Sequence, residues 1–379
     1  MNIVIAMDSF KGSISSIEAG NTVKEAILAH YPQEQVQVFP LADGGEGTVD
    51  ALTQGLGGSI VPVKVTGPLG ETVESRYGYI PTLGAAVIEM ADASGLTLVP
   101  VEKRNPLYTT TYGLGELILT AIDNGCRHFI IGIGGSATND AGLGMLTALG
   151  YKFYQEDGSP CDVYGKNLQD VARIDTTSCH PLLKECQFEI ACDVTNPLCG
   201  PQGCSAIYGP QKGATPEIIK RMDKDIAAFA DLAEKSTGIT GDKLPGAGAA
   251  GGLGFAFYTF LQGTLTPGIE LVLKSIKIKQ ALATADILIT GEGRMDMQTA
   301  MGKAPIGVAQ LAKKCHGSCL TLGLCGCATH DADAVNEHGI DAYFPILHAP
   351  MSVDEAMEAH TTKQNLSCTI QQVMRLIHR

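Results

Sequence analysis

The sequence predicts an α/β protein organised around a parallel sheet, and three observations lead there. Six short apolar runs each stop abruptly at a polar or glycine-rich turn: NIVIA before MDSFKGS, VQVFPLA before DGGEGT, HFIIGI before GGSATND, FEIAC before DVTNPLCG, DILIT before GEGRMD and CLTLGL before CGCATHD. Continuous apolar runs of this length suit strands buried on both faces, as parallel strands are. Helical patterns follow several of the runs, and strand–helix alternation favours α/β architecture. At 379 residues with 45% hydrophobic and 18% charged content, the chain is long enough for two domains with ordinary cores.

The N-terminal MNIVIAMDSF reads as a strand entering a turn. Ser15-x-x-Glu18 then forms a capping box, and Ala19, Val23, Ala26 and Ile27 make one apolar helix stripe. The pattern changes near residue 60. Val61, Val63 and Val65 alternate, a Gly-Pro-Leu-Gly turn intervenes, and Val73, Tyr77 and Tyr79 keep the same parity, which is hairpin chemistry. Antiparallel strands therefore open a second domain. Further on, Thr215 and Pro216 start a helix as cap and first-turn residue. The glycine-rich PGAGAAGGLG and the switch back to ADILITGEG place the return near residue 286. The expectation is a discontinuous domain of residues 1–59 and 286–379, an inserted α/β domain of residues 60–285, and an active-site cleft between them. Ser352-x-x-Glu355 caps a helix that closes the first domain.

A net charge of −13 disfavours nucleic acid and anionic membranes as partners, though local cations can still create a site for a small anion. The longest uncharged run is broken by glycines and prolines, so no membrane span is expected. No basic segment followed by an apolar one opens the chain, which predicts a cytoplasmic protein whose 12 cysteines stay reduced. Cys325 and Cys327, with Cys315 and Cys319 upstream, read as structural thiols rather than a zinc site.

Ligands of open α/β sheets gather beyond the carboxyl ends of the strands. The six turns there contain Asp8, Ser9, Lys11, Asp43, Glu46, Ser136, Thr138, Asp140, Asp193, Glu292, Arg294 and Asp296. Any one of these types can serve as a helix cap. Carboxylates after five different runs, interleaved with glycine pairs, point further, to metal-assisted phosphoryl transfer. In that chemistry carboxylates hold Mg²⁺, loop amides and a cation hold phosphate, and one Asp takes a hydroxyl proton. Gly132-x-Gly134-x-x-Ala137 also fits the looser dinucleotide fingerprint, with Glu156 and Asp157 about 20 residues beyond it, so an NAD-linked oxidoreductase of a small hydroxy acid is the alternative. That reading leaves DSFKGS, DGGEGT and GEGRMD unexplained. A non-catalytic solute-binding protein would explain a cleft but should begin with a secretion signal. A Walker A loop is absent, because Met297 stands where its first glycine is required and Ala304 replaces Ser/Thr after Gly302-Lys303.

DSFKGS, ADGGEGT, VTGPLGE, IEMADASGL, IGIGGSATND, ACDVTNPL, GPQKGA, PGAGAAGGLG, ITGEGRMD and GKAPIGVA, in this order from residue 2 to about residue 313, resemble the bacterial glycerate kinases called type I. The resemblance implies ATP- and Mg²⁺-dependent phosphorylation of D-glycerate, to 2-phosphoglycerate in the members most similar to this chain, with 3-phosphoglycerate as the other product. It also implies a flavodoxin-like doubly wound domain interrupted by a second α/β domain. Met7 stands where the family generally has Pro, Ala141 where Gly is usual, Cys327 where Ser is common and His330 where Asp is frequent.

With that chemistry in view, Gly134, Gly135, Ser136, Thr138 and Asn139, backed by the N-terminus of the following helix, are expected to hold ATP phosphates. Arg294 is the first choice for the glycerate carboxylate, then Lys11 and Arg104, with Ser9, Glu292 and Asn196 completing the substrate set. Asp8, Asp43 and Asp193 would converge on one edge, where their repulsion calls for Mg²⁺ or a proton. Asp193 is assigned the hydroxyl proton, while Asp43 and Asp8 position substrate or metal. D-glycerate is the expected partner, and a homo-oligomer is compatible with the reading.

Overall fold

All six apolar runs become strands in the computed structural model, which describes residues 1–379. In chain order the strands are β1 (Asn2–Met7), β2 (Gln35–Pro40), β3 (Ser59–Thr66), β4 (Thr72–Ile80), β5 (Ala85–Glu89), β6 (His128–Gly132) and β7 (Lys152–Tyr154). They continue as β8 (Arg173–Asp175), β9 (Gln187–Ala191), β10 (Thr264–Thr266), β11 (Ile287–Met295), β12 (Leu320–Ala328) and β13 (Ala342–Pro345). The chain divides into two units, Met1–Gly57 with Ile269–Arg379, and Gly58–Gly268.

The discontinuous unit is built on a five-stranded sheet of order β13-β12-β11-β1-β2. Every pairing in it is parallel. Counting only this unit's strands, the order is 2-1-3-4-5, the flavodoxin-like arrangement, whose direction of winding reverses between β1 and β11. Ile3, Ile5 and Met7 of β1 join a buried cluster with Ala19, Val23, Ala26 and Ile27 of the helix Ser16–Leu28, and with Leu366, Ile370 and Met374 of the helix Ala359–Ile377. The capping box at Ser15 and Glu18 forms as expected. A second box at Ser352 and Glu355 starts a short helix, Val353–Met357, ahead of the long C-terminal one. Crossing back into this unit occurs at Ile269, ahead of the residue 286 expected from sequence. The reason is packing: a Cβ on Gly307 would come within 2.4 Å of Ile269, so the segment after Gly268 lies tight against the helix Ala304–Cys315.

The continuous unit carries a six-stranded sheet of order β10-β9-β6-β5-β4-β3. The hairpin parity holds, with Val61 opposite Tyr77 and Val65 opposite Val73. From β5 through β6 and β9 to β10 the pairing is parallel, so the loops after these four strands share one edge. β7 and β8 form a separate antiparallel pair. Thr215 caps the helix Pro216–Thr237, with Pro216 in its first turn. No helix of the chain is long and apolar enough to cross a membrane.

Candidate active site

In the discontinuous unit the site starts at the winding reversal. The Asp8 amide donates to the Gly291 carbonyl at 2.8 Å, extending the β1–β11 ladder by one rung and fixing where Asp8 sits. Its side chain is buried, and Oδ1 accepts the Ser9 amide at 2.7 Å. Burial first, then the charge of Asp43, push the Asp8 carboxyl up to about 7, against the opposing pull of the Ser9 N–H and Lys11. Asp43 follows the adjacent strand β2, and its Oδ1 accepts the Gly45 amide at 3.0 Å. Gly47, at φ 91°, turns the chain into the helix Thr48–Gly55, a conformation that suits glycine. Asp8, Asp43, Lys11 and Ser9 are thus brought together by adjacent parallel strands.

Glu292 joins this group. It is buried, its Oε1 accepts from Thr299 Oγ1 at 2.7 Å, and burial raises its pKa while Lys303 counteracts. GEGRMD does not behave as the strand-end loop expected. β11 runs through Met295 because β12 runs with it, pairing Glu292 with Cys325 and Arg294 with Cys327. Beyond Met295, Asp296 caps the helix Met297–Ala300, accepting from the Gln298 and Thr299 amides at 2.9 and 3.3 Å. The Arg294 side chain is 64% exposed, with Nε 3.5 Å from Asp296 Oδ2. It borders an open cavity of about 470 Å³ lined by Asp296, Gln298, Thr329, His330 and Asp331. Cys325 is buried and Cys327 exposed, and no group of three or more His, Cys, Asp or Glu residues is placed to hold a metal ion.

The continuous unit holds the glycine loop. Gly135 has φ 74°, and a Cβ on Gly134 would meet open space, so the loop crest is free to receive a ligand. Ser136 Oγ accepts the Thr138 amide at 3.0 Å and bonds Thr138 Oγ1 at 2.8 Å. Asn139 Nδ2 donates to Ser205 Oγ at 2.9 Å, while Asn139 Oδ1 is buried without a hydrogen bond. The expected helix N-terminus behind the loop is not available to phosphate. The helix, Leu143–Ala148, begins several residues later, and the fully buried Asp140 occupies its start, accepting the Gly142 and Gly144 amides at 3.2 and 3.3 Å. Asp140 also takes the Thr111 amide and hydroxyl, at 2.9 and 2.7 Å. Burial raises its pKa; these donors oppose the shift.

That arrangement removes the basis of the dinucleotide reading, in which the pyrophosphate rests on a free helix N-terminus. Asp157, its ribose-binding candidate, instead closes an exposed turn by accepting from the Ser159 amide and hydroxyl.

Asp193 follows β9, the neighbour of β6. It is exposed, and Oδ1 accepts the Gly268 amide at 2.8 Å. Asn196 donates to the Gln202 carbonyl at 2.8 Å and accepts from Tyr208 at 2.6 Å. Arg104 is half-buried, and its Nε lacks a hydrogen bond. Of the three carboxylates expected on one edge, Asp8 and Asp43 share a unit and Asp193 belongs to the other.

Two further residues of the glycine-loop neighbourhood were not singled out from the sequence. Thr111 anchors Asp140, and Lys212, 2% exposed, donates from Nζ to the Thr138 carbonyl at 2.6 Å. The signal for Lys212 was its place between glycines in GPQKGA.

The comparisons with known proteins agree with this architecture. Residues 3–378 match the model of the glycerate kinase family. A glycerate kinase of Halalkalibacterium halodurans is 47% identical over 356 residues, 94% of this chain and 93% of that protein. The glycerate 2-kinase of Escherichia coli is 45% identical, with the same coverage of both chains. A crystal structure assigned as glycerate kinase 2, from Salmonella typhimurium LT2, superposes with a TM-score of 0.92 at 43% identity, covering 100% of this chain and 98% of that one. Ordered motifs, sheet topology and full-length similarity converge, and the chain belongs to the glycerate kinase family.

Proposed function

We propose that the protein transfers the γ-phosphoryl group of ATP to the 2-hydroxyl of D-glycerate, giving 2-phosphoglycerate and ADP. Support for the product comes from the similarity to the Escherichia coli glycerate 2-kinase. The observation that carries the reading is the buried Asp8 beside Asp43 at the carboxyl edge of the parallel sheet, an anion pair that demands a cation or a proton. Mg²⁺ fits this donor set, because it binds through one or two carboxylates and takes its other ligands from water and phosphate oxygens. Asp8 and Asp43 would hold it, and when bound it supplies neutralising charge at the phosphates. Such a reaction suits the cytoplasmic location read from the sequence.

In this reading the amides of the exposed Gly134 and Gly135 orient ATP phosphates, the buried Ser136 and Thr138 fix the turn by bonding each other, and Asn139 anchors it through Ser205. Arg294 pairs with the glycerate carboxylate at the cavity it borders, and Lys11 is the cation near Asp8, where Ser9 and Glu292 are further polar groups of the same unit. Asp193 accepts the hydroxyl proton. Phosphoryl transfer needs mainly positioning and charge stabilisation, which fixed backbone amides and cations provide.

The test is to incubate the protein with ATP, Mg²⁺ and D-glycerate, follow ADP, and identify the product by phosphorus NMR. Formation of ADP with 2-phosphoglycerate is expected. ADP with 3-phosphoglycerate would correct the position of attack, and no glycerate-dependent ADP would sink the proposal.

A further inference from the structure

A lysine buried as deeply as Lys212 is uncommon, and one without an evident counter-ion bond is more so. It ends the turn Pro210–Lys212, and the next residue locks that turn in place: a Cβ on Gly213 would lie 2.1 Å from the Arg104 carbonyl oxygen. From there Nζ reaches the Thr138 carbonyl at 2.6 Å. A neutral donor could satisfy a carbonyl without the cost of burying an ammonium. The reason for a charge lies two residues further along. Asp140 is fully buried beneath the same loop, and its oxygens are committed to Thr111, Gly142 and Gly144. Left alone, that anion would repel any phosphate brought to residues 134–139. Lys212 lies within electrostatic reach of Asp140 and bonds the loop at Thr138.

We propose that Lys212 is a positioning residue for nucleotide phosphate: it fixes the Thr138 carbonyl and offsets the buried Asp140 charge, so that the glycine loop presents its amides to an anion. This rests on the reading of the Ser136–Asn139 loop as the ATP site. It adds a buried electrostatic support, acting through Thr138 rather than by touching substrate.

Lys212→Gln and Lys212→Met test it in the full-length enzyme, with circular dichroism to establish folding. Both should raise the Michaelis constant for ATP about tenfold or more, the scale of one lost charge interaction, and leave that for glycerate within about twofold. Normal ATP affinity in Lys212→Gln would overturn the charge argument, and an equal loss for both substrates would reduce Lys212 to a structural role.

A measurement on the unaltered enzyme covers the case in which neither variant folds. Burial holds the Lys212 ammonium down to about 8, with Cys204 and Asp140 opposing, and burial lifts the Cys204 thiol to about 11. The dissociation constant of ADP should therefore rise severalfold from about pH 7 to about pH 9.5 as Lys212 loses its proton, while that of glycerate stays flat. A flat ADP profile would overturn the proposal. Gly135→Val, measured in parallel, separates the two claims. If it weakens ATP while Lys212→Gln does not, the loop assignment stands and the role of Lys212 falls; if it weakens glycerate alone, the loop assignment itself falls.

Discussion

Arg294 and Cys327 stand opposite each other in the parallel ladder of β11 and β12, past the point where both strands cease to be apolar. The pairing carries Arg294 beyond the buried sheet to the wall of the open cavity, on rigid backbone rather than on a loop.

Bidentate carboxylate recognition at Arg294 depends on the planar guanidinium, which lysine lacks. Arg294→Lys is expected to raise the Michaelis constant for glycerate about tenfold or more, with that for ATP little changed. A normal glycerate constant in this variant would remove Arg294 from the carboxylate site.

Much of this architecture was legible beforehand, and the gaps have specific physical causes. The six runs were readable because a strand buried on both faces has to be apolar throughout, and the β3–β4 hairpin because its valines alternate. The extension of β11 through GEGRM was hidden: glycine, glutamate and arginine have little strand preference, and only the ladder to Cys325–Ala328 keeps them extended. The strands β7, β8, β10 and β13 are three or four residues long, too short to show a period. Among the site residues, Asp8, Asp43 and Glu292 were visible because each follows or ends an apolar run. Lys212 was not, since no local pattern reveals that a lysine will be buried.

Asp193→Asn tests the assignment of the proton acceptor. The Asn carbonyl oxygen can still accept the Gly268 amide that Asp193 binds, so folding and ATP binding should persist. Turnover should fall by about 10²-fold or more, the usual scale for losing a general base. Near-normal turnover would move that role to Asp43, and the same substitution there would be the next test.

Asp8 predicts a pH dependence of stability in metal-free protein. Its folded pKa, pushed up to about 7, lies above the ordinary aspartate value of 3.8, so the folded state holds a proton that the unfolded chain gives up. Below about pH 4 both states are protonated and nothing is lost; stability then declines as pH rises to about 7, by at most about 4 kcal/mol. Asp8→Asn should remove this decline and melt higher than the unaltered protein at pH 8. In the role proposed for Asp8, Mg²⁺ would compete with the proton and should raise the melting temperature more at pH 8 than at pH 5. Identical melting curves for the two proteins at pH 8 would mean that the Asp8 carboxyl carries no such penalty.

Ala141 sits at φ 47°, fully buried, where the resembling family usually has glycine. Left-handed backbone costs a residue with a Cβ roughly 1–2 kcal/mol, and glycine recovers that less its own larger loss of chain entropy. Ala141→Gly should stabilise the protein by about 0.5–1 kcal/mol in urea denaturation. An unchanged midpoint with an unchanged slope would show that the neighbouring Gly252, whose own Cβ would crowd Ala141, has already accommodated the alanine.

The strand order β13-β12-β11-β1-β2 also has a consequence for synthesis. β1 is an inner strand of its sheet, yet its partner β11 is encoded after the whole of Gly58–Gly268. At about 5–20 residues per second, β1 and β2 emerge from the ribosome and wait roughly ten to forty seconds with a bare apolar edge before β11 arrives. The intervening unit needs no strand from outside itself to complete its sheet and can fold during that interval, shortening the loop that β1 must close. Until then the nascent N-terminus is an open strand edge, the segment on which a chaperone would have most to do.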